Sequence, residues 1–291
     1  MSRLALIVVS IFLSFPAIAD ERLILDGRDR TYSVYRPAGL GRNNAVPLVV
    51  VLHGGFGTGH QAETSYRWDG MAQTNGFVVA YPDGYRRSWN AGGNCCGAAY
   101  SENVDDIKFI TAVIHAVTQA ENIDPRHIYL AGISNGAAMS YRYACAGPVA
   151  VAAIGSVSGT MPGGCQAAKP VSVIEIHGLK DQNIPFAGGA GSKGVTGIEW
   201  PSVQQSLDVF RQSDRCGPAN VTNDGVLTTS ISNCAQGNQV SLVTISDAGH
   251  QWPGAESNRL LVRLLLDLDP PSKAMDATAV LWDFFRRHGV P

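Results

Sequence analysis

The chain has 291 residues, 45% of them hydrophobic and 16% charged, which is enough apolar material for one large α/β domain without requiring a second. Its formal net charge is −2 and no Lys/Arg run stands out, so the sequence predicts no nucleic-acid partner and no anionic membrane partner.

Residues 1–19, MSRLALIVVSIFLSFPAIA, form a separate unit. Arg3 and the amino terminus supply positive charge. The apolar core that follows is about a dozen residues long, short of the ~20 that span a bilayer. Ala17-Ile18-Ala19 has the small-x-small pattern of a cleavage site. The expectation is a cleaved signal peptide over 1–19, a single mature domain over 20–291, and a secreted or periplasmic location. No later stretch is long and apolar enough for a transmembrane helix, and a monomer is expected.

Export favours oxidised cysteines over metal-bound ones, and the six cysteines contain no CxxC pair and no His/Cys cluster with zinc spacing. Cys216 and Cys234 flank a polar, turn-rich segment, as a hairpin-closing disulfide does. Cys145 and Cys165 would tie the end of one helix to a loop beyond the next strand. Adjacent Cys95 and Cys96 either form a vicinal disulfide or remain thiols.

Alternating TYSVYRP (31–37) reads as a half-buried edge strand. PLVVVLHGG (47–55) and FVVAYPDG (77–84) are continuous apolar runs, which suits strands buried on both faces. In VDDIKFITAVIHAVTQAENI, the residues Ile107, Ile110, Val113, Ile114 and Val117 share one helical face, and Asp105 and Asp106 sit where carboxylates favour the helix dipole. HIYLAG then reads as a strand, NGAAMSYRYACA as a helix, and VAAIGSVSG and VSVIEIHG as buried strands. SVQQSLDVFRQSD is helical, SLVTIS a strand, and DATAVLWDFFRRHG a closing helix with Gly289 just past its end. Glycine-rich 187–197 is a loop. Strands alternating with helices predict a mostly parallel central sheet with helices on both faces.

Ser134 sits at the strand-to-helix join in GISNG, with Gly132 and Gly136 on either side. Serine is a favoured N-cap, so a capping role competes with a nucleophilic one. The flanking glycines permit the sharp turn that lifts a hydroxyl above the sheet's C-terminal edge. A serine hydroxyl is a poor nucleophile without a base and a group that orients the base. His250, in GHQWPG beyond SLVTIS, and Asp181, in HGLKDQNIPF beyond VSVIEI, supply both in the order Ser, Asp, His on strand-exit loops. Asp247, three residues before His250, is the competing acid. His177 closes a strand and is expected to order the acid loop. The developing oxyanion needs backbone N–H donors; Asn135 supplies one and Gly55 of HGGF the other, with Phe56 as the alternative.

HGGFGTG, YPDGYRRSWNAGGNCCG, VDDIKFI, GISNGAAMSY, HGLKDQNIPF and GHQWPG run in that order from about Val46 to the final helix. Together they resemble the secreted esterases related to poly(3-hydroxybutyrate) depolymerases and feruloyl esterases. The resemblance implies the α/β-hydrolase fold, a triad of Ser134, Asp181 and His250, and Trp252 lining the acyl or polymer site. A plain core tryptophan is the competing reading of Trp252. Phe56 and Trp89, the latter with the GGNCCG loop, complete the expected substrate contacts, and a disulfide-tied structural loop is the other reading of GGNCCG. The implied activity is serine ester hydrolysis of hydroxyalkanoate oligoesters, with feruloyl or acetyl xylan esters of plant polysaccharide as the alternative and non-catalytic polymer binding as a third. No metal or organic cofactor is called for. Many polyester depolymerases add a linker and a polymer-adsorbing domain; this chain closes on its last helix, which turns the expectation from insoluble film toward soluble esters.

Overall fold

A computed structural model describes residues 20–41, 43–165, 168–194, 197–256 and 269–290. The signal peptide expected over 1–19 lies outside these residues. The apolar runs form the centre of a ten-stranded sheet. In chain order its strands are β1 (Glu21–Leu25), β2 (Arg28–Tyr35), β3 (Val46–Leu52), β4 (Val78–Pro82), β5 (Ile123–Ile133), β6 (Ala153–Val157), β7 (Ser172–Gly178), β10 (Asn220–Asp224), β11 (Leu227–Asn233) and β12 (Gln239–Ile245). Two short strands, β8 (Gly189–Ala190) and β9 (Glu199–Trp200), pair separately.

The spatial order is β1-β2-β4-β3-β5-β6-β7-β12-β11-β10. The central run from β4 to β12 is parallel, and an antiparallel hairpin flanks it on each side. Strand β2 is therefore not the edge: Glu21–Leu25 pairs outside it, and the unpaired side passes to β1. The alternation in TYSVYRP reports one wet face rather than a free edge.

Seven helices are described: α1 (Gly59–Tyr66), α2 (Trp68–Asn75), α3 (Gly97–Ser101), α4 (Asp106–Ala120), α5 (Asn135–Ala146), α6 (Val203–Ser213) and α7 (Ala277–Phe285). Side chains of β3 alternate between two cores, as the two-residue period of a strand requires. Leu48, Val50 and Leu52 pack with Phe109 and Val113 of α4, Met139 of α5 and Phe210 of α6. Val49 and Val51 pack on the other face with Trp68 of α2 and Leu281, Trp282 and Phe285 of α7. The sheet is covered on both faces, as expected.

All three cysteine pairs are bonded: Cys145–Cys165, Cys216–Cys234 and Cys95–Cys96. Cys216–Cys234 brackets the β10–β11 hairpin, and Cys145–Cys165 joins the end of α5 to the loop after β6. Closing loops of this length contributes about 3 kcal/mol each by restricting the unfolded chain.

The two aspartates of VDDIKFI divide their work. Asp105 is exposed and caps α4, accepting the Lys108 N–H at 2.9 Å. Asp106 is buried against Arg30 at 2.7 Å and also accepts the Asn90 N–H at 2.7 Å. The Arg30 guanidinium lies 3.8 Å over the Phe109 ring. Removing one partner of a buried pair strands the other charge. Asp106→Ala is expected to lower unfolding free energy by about 3–5 kcal/mol, and Asp105→Ala by about 1 kcal/mol. Urea unfolding of the two variants checks this; equal losses would contradict the division.

Candidate active site

Ser134, Asp181, His250 and Gly55 all follow C-terminal strand ends, of β5, β7, β12 and β3 respectively, where open parallel sheets gather ligands. Ser134 precedes α5 with φ 56° and ψ −121°, a conformation rarely taken by a non-glycine residue. Its side chain makes no cap hydrogen bond. The hydroxyl is thus at the helix N-terminus without being used by it.

His250 Nδ1 and Asp181 Oδ2 are 2.7 Å apart, with the carboxylate fully buried. Asp181 Oδ1 accepts the N–H groups of Asn183 at 2.8 Å and Ile184 at 2.9 Å. Burial would push the Asp181 carboxyl up, but His250, His177 and the Ile184 amide outweigh it and hold it below the usual carboxylate range. Asp247 is exposed and forms no hydrogen bond or ion pair with His250 among the described residues. The acid facing the imidazole is Asp181. No hydrogen bond joins Ser134 Oγ to His250 among the described residues, a common condition of hydrolases without substrate. The two side chains line one cavity of about 630 Å³, together with Gly55, Phe56 and Asn135.

Behind Asp181 lies a layer that the sequence only hinted at. His177 is buried, as expected near the acid loop; its Nε2 donates to the Ile184 carbonyl at 2.9 Å, and its Nδ1 meets Glu175 Oε1 at 2.8 Å. Glu175 is also buried, accepting Tyr141 Oη–H at 3.1 Å and the Gly159 N–H at 3.2 Å. Asp269 accepts the His250 backbone N–H at 2.9 Å and had no sequence signal.

On the oxyanion side, the Phe56 N–H donates to the Arg87 carbonyl at 2.9 Å, which removes Phe56 as the alternative donor. The Gly55 N–H has no acceptor among the described residues, and Asn135 opens α5, where the first N–H groups lack helical partners. The loop is held by His53, whose Nε2 accepts the Gly84 N–H at 2.9 Å, leaving Nδ1–H to donate to the Gly54 carbonyl at 2.7 Å. Only the neutral imidazole can make both bonds.

Two expected substrate contacts are corrected. Trp252 is 1% exposed, stacks on Tyr66 with centroids 4.4 Å apart, and donates to Thr278 Oγ1; it is a core residue. Trp89 is 0% exposed, and its indole N–H donates to the His53 carbonyl at 2.9 Å. Its backbone is clamped by the Asn135 amide at 2.7 and 2.9 Å. Both rings are consumed by packing and by structural hydrogen bonds, so neither faces the cavity. Phe56, 71% exposed, does face it, as do Asn94, Cys96 and Gly97 of the GGNCCG segment. Trp200, Asn183, Lys193, Arg86 and Arg87 also line it, and the sequence did not single them out.

Residues 30–184, more than half of the chain, match the family described as Esterase PHB depolymerase. The chain is 28% identical over 256 residues to a putative esterase, NocK, of Nocardia uniformis subsp. tsuyamanensis, covering 80% of this chain and 74% of that protein. It is 29% identical over 227 residues to feruloyl esterase B of Piromyces equi, covering 74% of this chain but only 41% of that protein. Among solved structures, acetyl xylan esterase from Aspergillus awamori superimposes with a TM-score of 0.59 at 14% identity, over 80% of this chain and 94% of that one. That likeness supports the α/β-hydrolase-type fold.

Burial lowers the His53 pKa from 6.5 to about 4. Between those values the unfolded chain binds a proton that the folded chain refuses, so stability rises with pH through this window. The contribution is complete above pH 6.5 and is lost by about pH 4, amounting to about 3 kcal/mol. His53→Gln should flatten that part of the stability–pH curve in urea titrations; an unchanged slope would contradict a neutral His53.

Proposed function

The chain belongs to the PHB depolymerase family of esterases, and we propose that it is an exported enzyme that cleaves hydroxyalkanoate oligoesters through an acyl-enzyme on Ser134. In this reading His250 takes the Ser134 proton as Oγ attacks the ester carbonyl carbon. Asp181 holds the imidazole in the reactive tautomer and stabilises its cation. The N–H groups of Gly55 and Asn135 bind the oxyanion. The imidazolium then protonates the leaving alcohol, and a water deprotonated by His250 releases the acid.

The observation that carries the proposal is the 2.7 Å Asp181–His250 contact on the wall of the cavity that also holds Ser134, whose hydroxyl does no capping. Export draws support from the leader pattern of residues 1–19 and from three disulfides, which persist in oxidising compartments. A single mature unit over 20–291, acting as a monomer, belongs to the same proposal. A second reading, feruloyl or acetyl xylan ester hydrolysis, is favoured by the likeness to feruloyl esterase B.

A panel of p-nitrophenyl butyrate, methyl ferulate, acetylated xylan and 3-hydroxybutyrate oligomers separates these substrates. Ser134→Ala is expected to lower turnover by at least about 10⁴-fold, and Asp181→Asn by about 10³- to 10⁴-fold, with folding intact. Turnover equal to wild type in Ser134→Ala would overturn the mechanism. Preference for methyl ferulate or acetylated xylan over the oligomers would select the second reading.

A further inference from the structure

The cavity has a charge that the catalytic chemistry does not require. The whole chain carries more Asp and Glu than Lys and Arg, 24 against 22. Yet Arg86, Arg87 and Lys193 line the cavity, and no Asp or Glu does so among the described residues. Asp181 is buried behind the His250 imidazole and does not offset them at the wall. A cleft lined by one sign of charge focuses its field on an oppositely charged ligand.

The three cations are not equivalent. Arg86 is engaged by Glu102 at 2.8 Å. Lys193 Nζ lies 3.9 Å from Asp269 Oδ1. The Arg87 guanidinium makes no ion pair or hydrogen bond with the described residues. Its backbone is nevertheless fixed: the N–H donates to the Gly84 carbonyl at 3.0 Å, and the carbonyl receives the Phe56 N–H at 2.9 Å. Arg87 therefore projects from a segment hydrogen-bonded directly to the oxyanion loop. Its φ of 65° costs energy in a non-glycine residue and directs this side chain from a tight turn.

We propose that Arg87, assisted by Lys193, binds a carboxylate on the leaving-alcohol side of the substrate, so that the enzyme prefers oligoesters ending in a free acid. The proposal rests on the oligoester reading above and makes it specific. In a hydroxyalkanoate oligomer the last ester joins an acyl chain to a hydroxy acid whose carboxylate is free. Ser134 Oγ bonds to the carbonyl carbon and the bond to the hydroxy-acid oxygen breaks. That oxygen takes the proton held by His250, and water later releases the shortened acyl chain as an acid. The departing unit is an anion held by a guanidinium, whose planar fork suits a carboxylate.

The test compares kcat/KM for 3-hydroxybutyrate trimer as the free acid and as its methyl ester. General effects of a variant on turnover cancel in this ratio. Exposed charge pairs are modest, so wild type should favour the acid by about 2- to 5-fold, less at high salt. Arg87→Gln should bring the ratio close to one, Lys193→Gln should lower it partway, and Arg87→Glu should invert it. Equal rates on acid and ester in wild type would overturn the proposal, as would an acid preference that survives both Arg87→Gln and Arg87→Glu. Turnover of p-nitrophenyl butyrate without cleavage of either trimer would overturn it while leaving serine esterase chemistry standing. Absence of p-nitrophenyl butyrate turnover as well would bring down the underlying reading.

Discussion

The close approach of two backbones at the serine turn sets the geometry of everything around it. A Cβ on Gly136 would lie 2.4 Å from the carbonyl oxygens of Leu52 and His53, and one on Gly132 would lie 2.5 Å from the Gly136 carbonyl. Glycine at both positions lets α5 begin directly against the end of β3. Ser134 is thereby raised at the sheet edge beside the HGGF loop, and the Gly55 and Asn135 amides share its cavity. The glycine spacing is thus first a packing requirement, and its chemical consequence follows from what the packing brings together.

The acid–base side is built differently, from polar groups taken out of water in sequence. Such groups are costly unless each is paired. Glu175 answers Tyr141, Gly159 and His177; His177 answers Glu175 and the Ile184 carbonyl. Burial pushes the Glu175 carboxyl up, which favours keeping a proton between it and His177. The Ile184 amide in turn donates to Asp181. The loop after β7 is held at both ends of this chain, so Asp181 presents one oxygen to the backbone and the other to His250. Asp269 holds the His250 backbone from a separate segment.

What was legible in the sequence follows from what is local. Strands β3 to β7, helices α4 and α5, and the order of Ser134, Asp181 and His250 were readable because apolar period and strand-exit position are properties of short segments. Strand β1 was missed because ERLIL sits at the sheet's margin, where burial does not impose a pattern. Trp252 and Trp89 were misread because a motif fixes a backbone position but not the direction of a large ring. The partners that turn them inward, Thr278, Tyr66 and His53, are distant in sequence. Asp106 read as a helix-start carboxylate for the same reason: its partner Arg30 is 76 residues away.

The length of YPDGYRRSWNAGGNCCG, the longest of the motifs that carry the family resemblance, has its explanation in this long-range wiring. Asp83 accepts the Gly59 N–H and Thr31 Oγ1–H at the start of α1 and within β2. The Gly84 amide fixes the His53 tautomer, the Arg87 carbonyl fixes Phe56, and Trp89 joins His53 to Asn135. Farther along, Cys96 and Gly97 reach the cavity wall. One segment therefore couples the HGGF loop, the start of α5 and the cleft surface. Backbone groups of Gly84, Arg87 and Trp89 hold the loop after β3 and the start of α5, while the side chains of Arg86, Arg87 and Asn94 lie at the cavity wall. Arg86 and Arg87 of this segment line the cavity, and it is to Arg87 that we attribute the preference for a free acid.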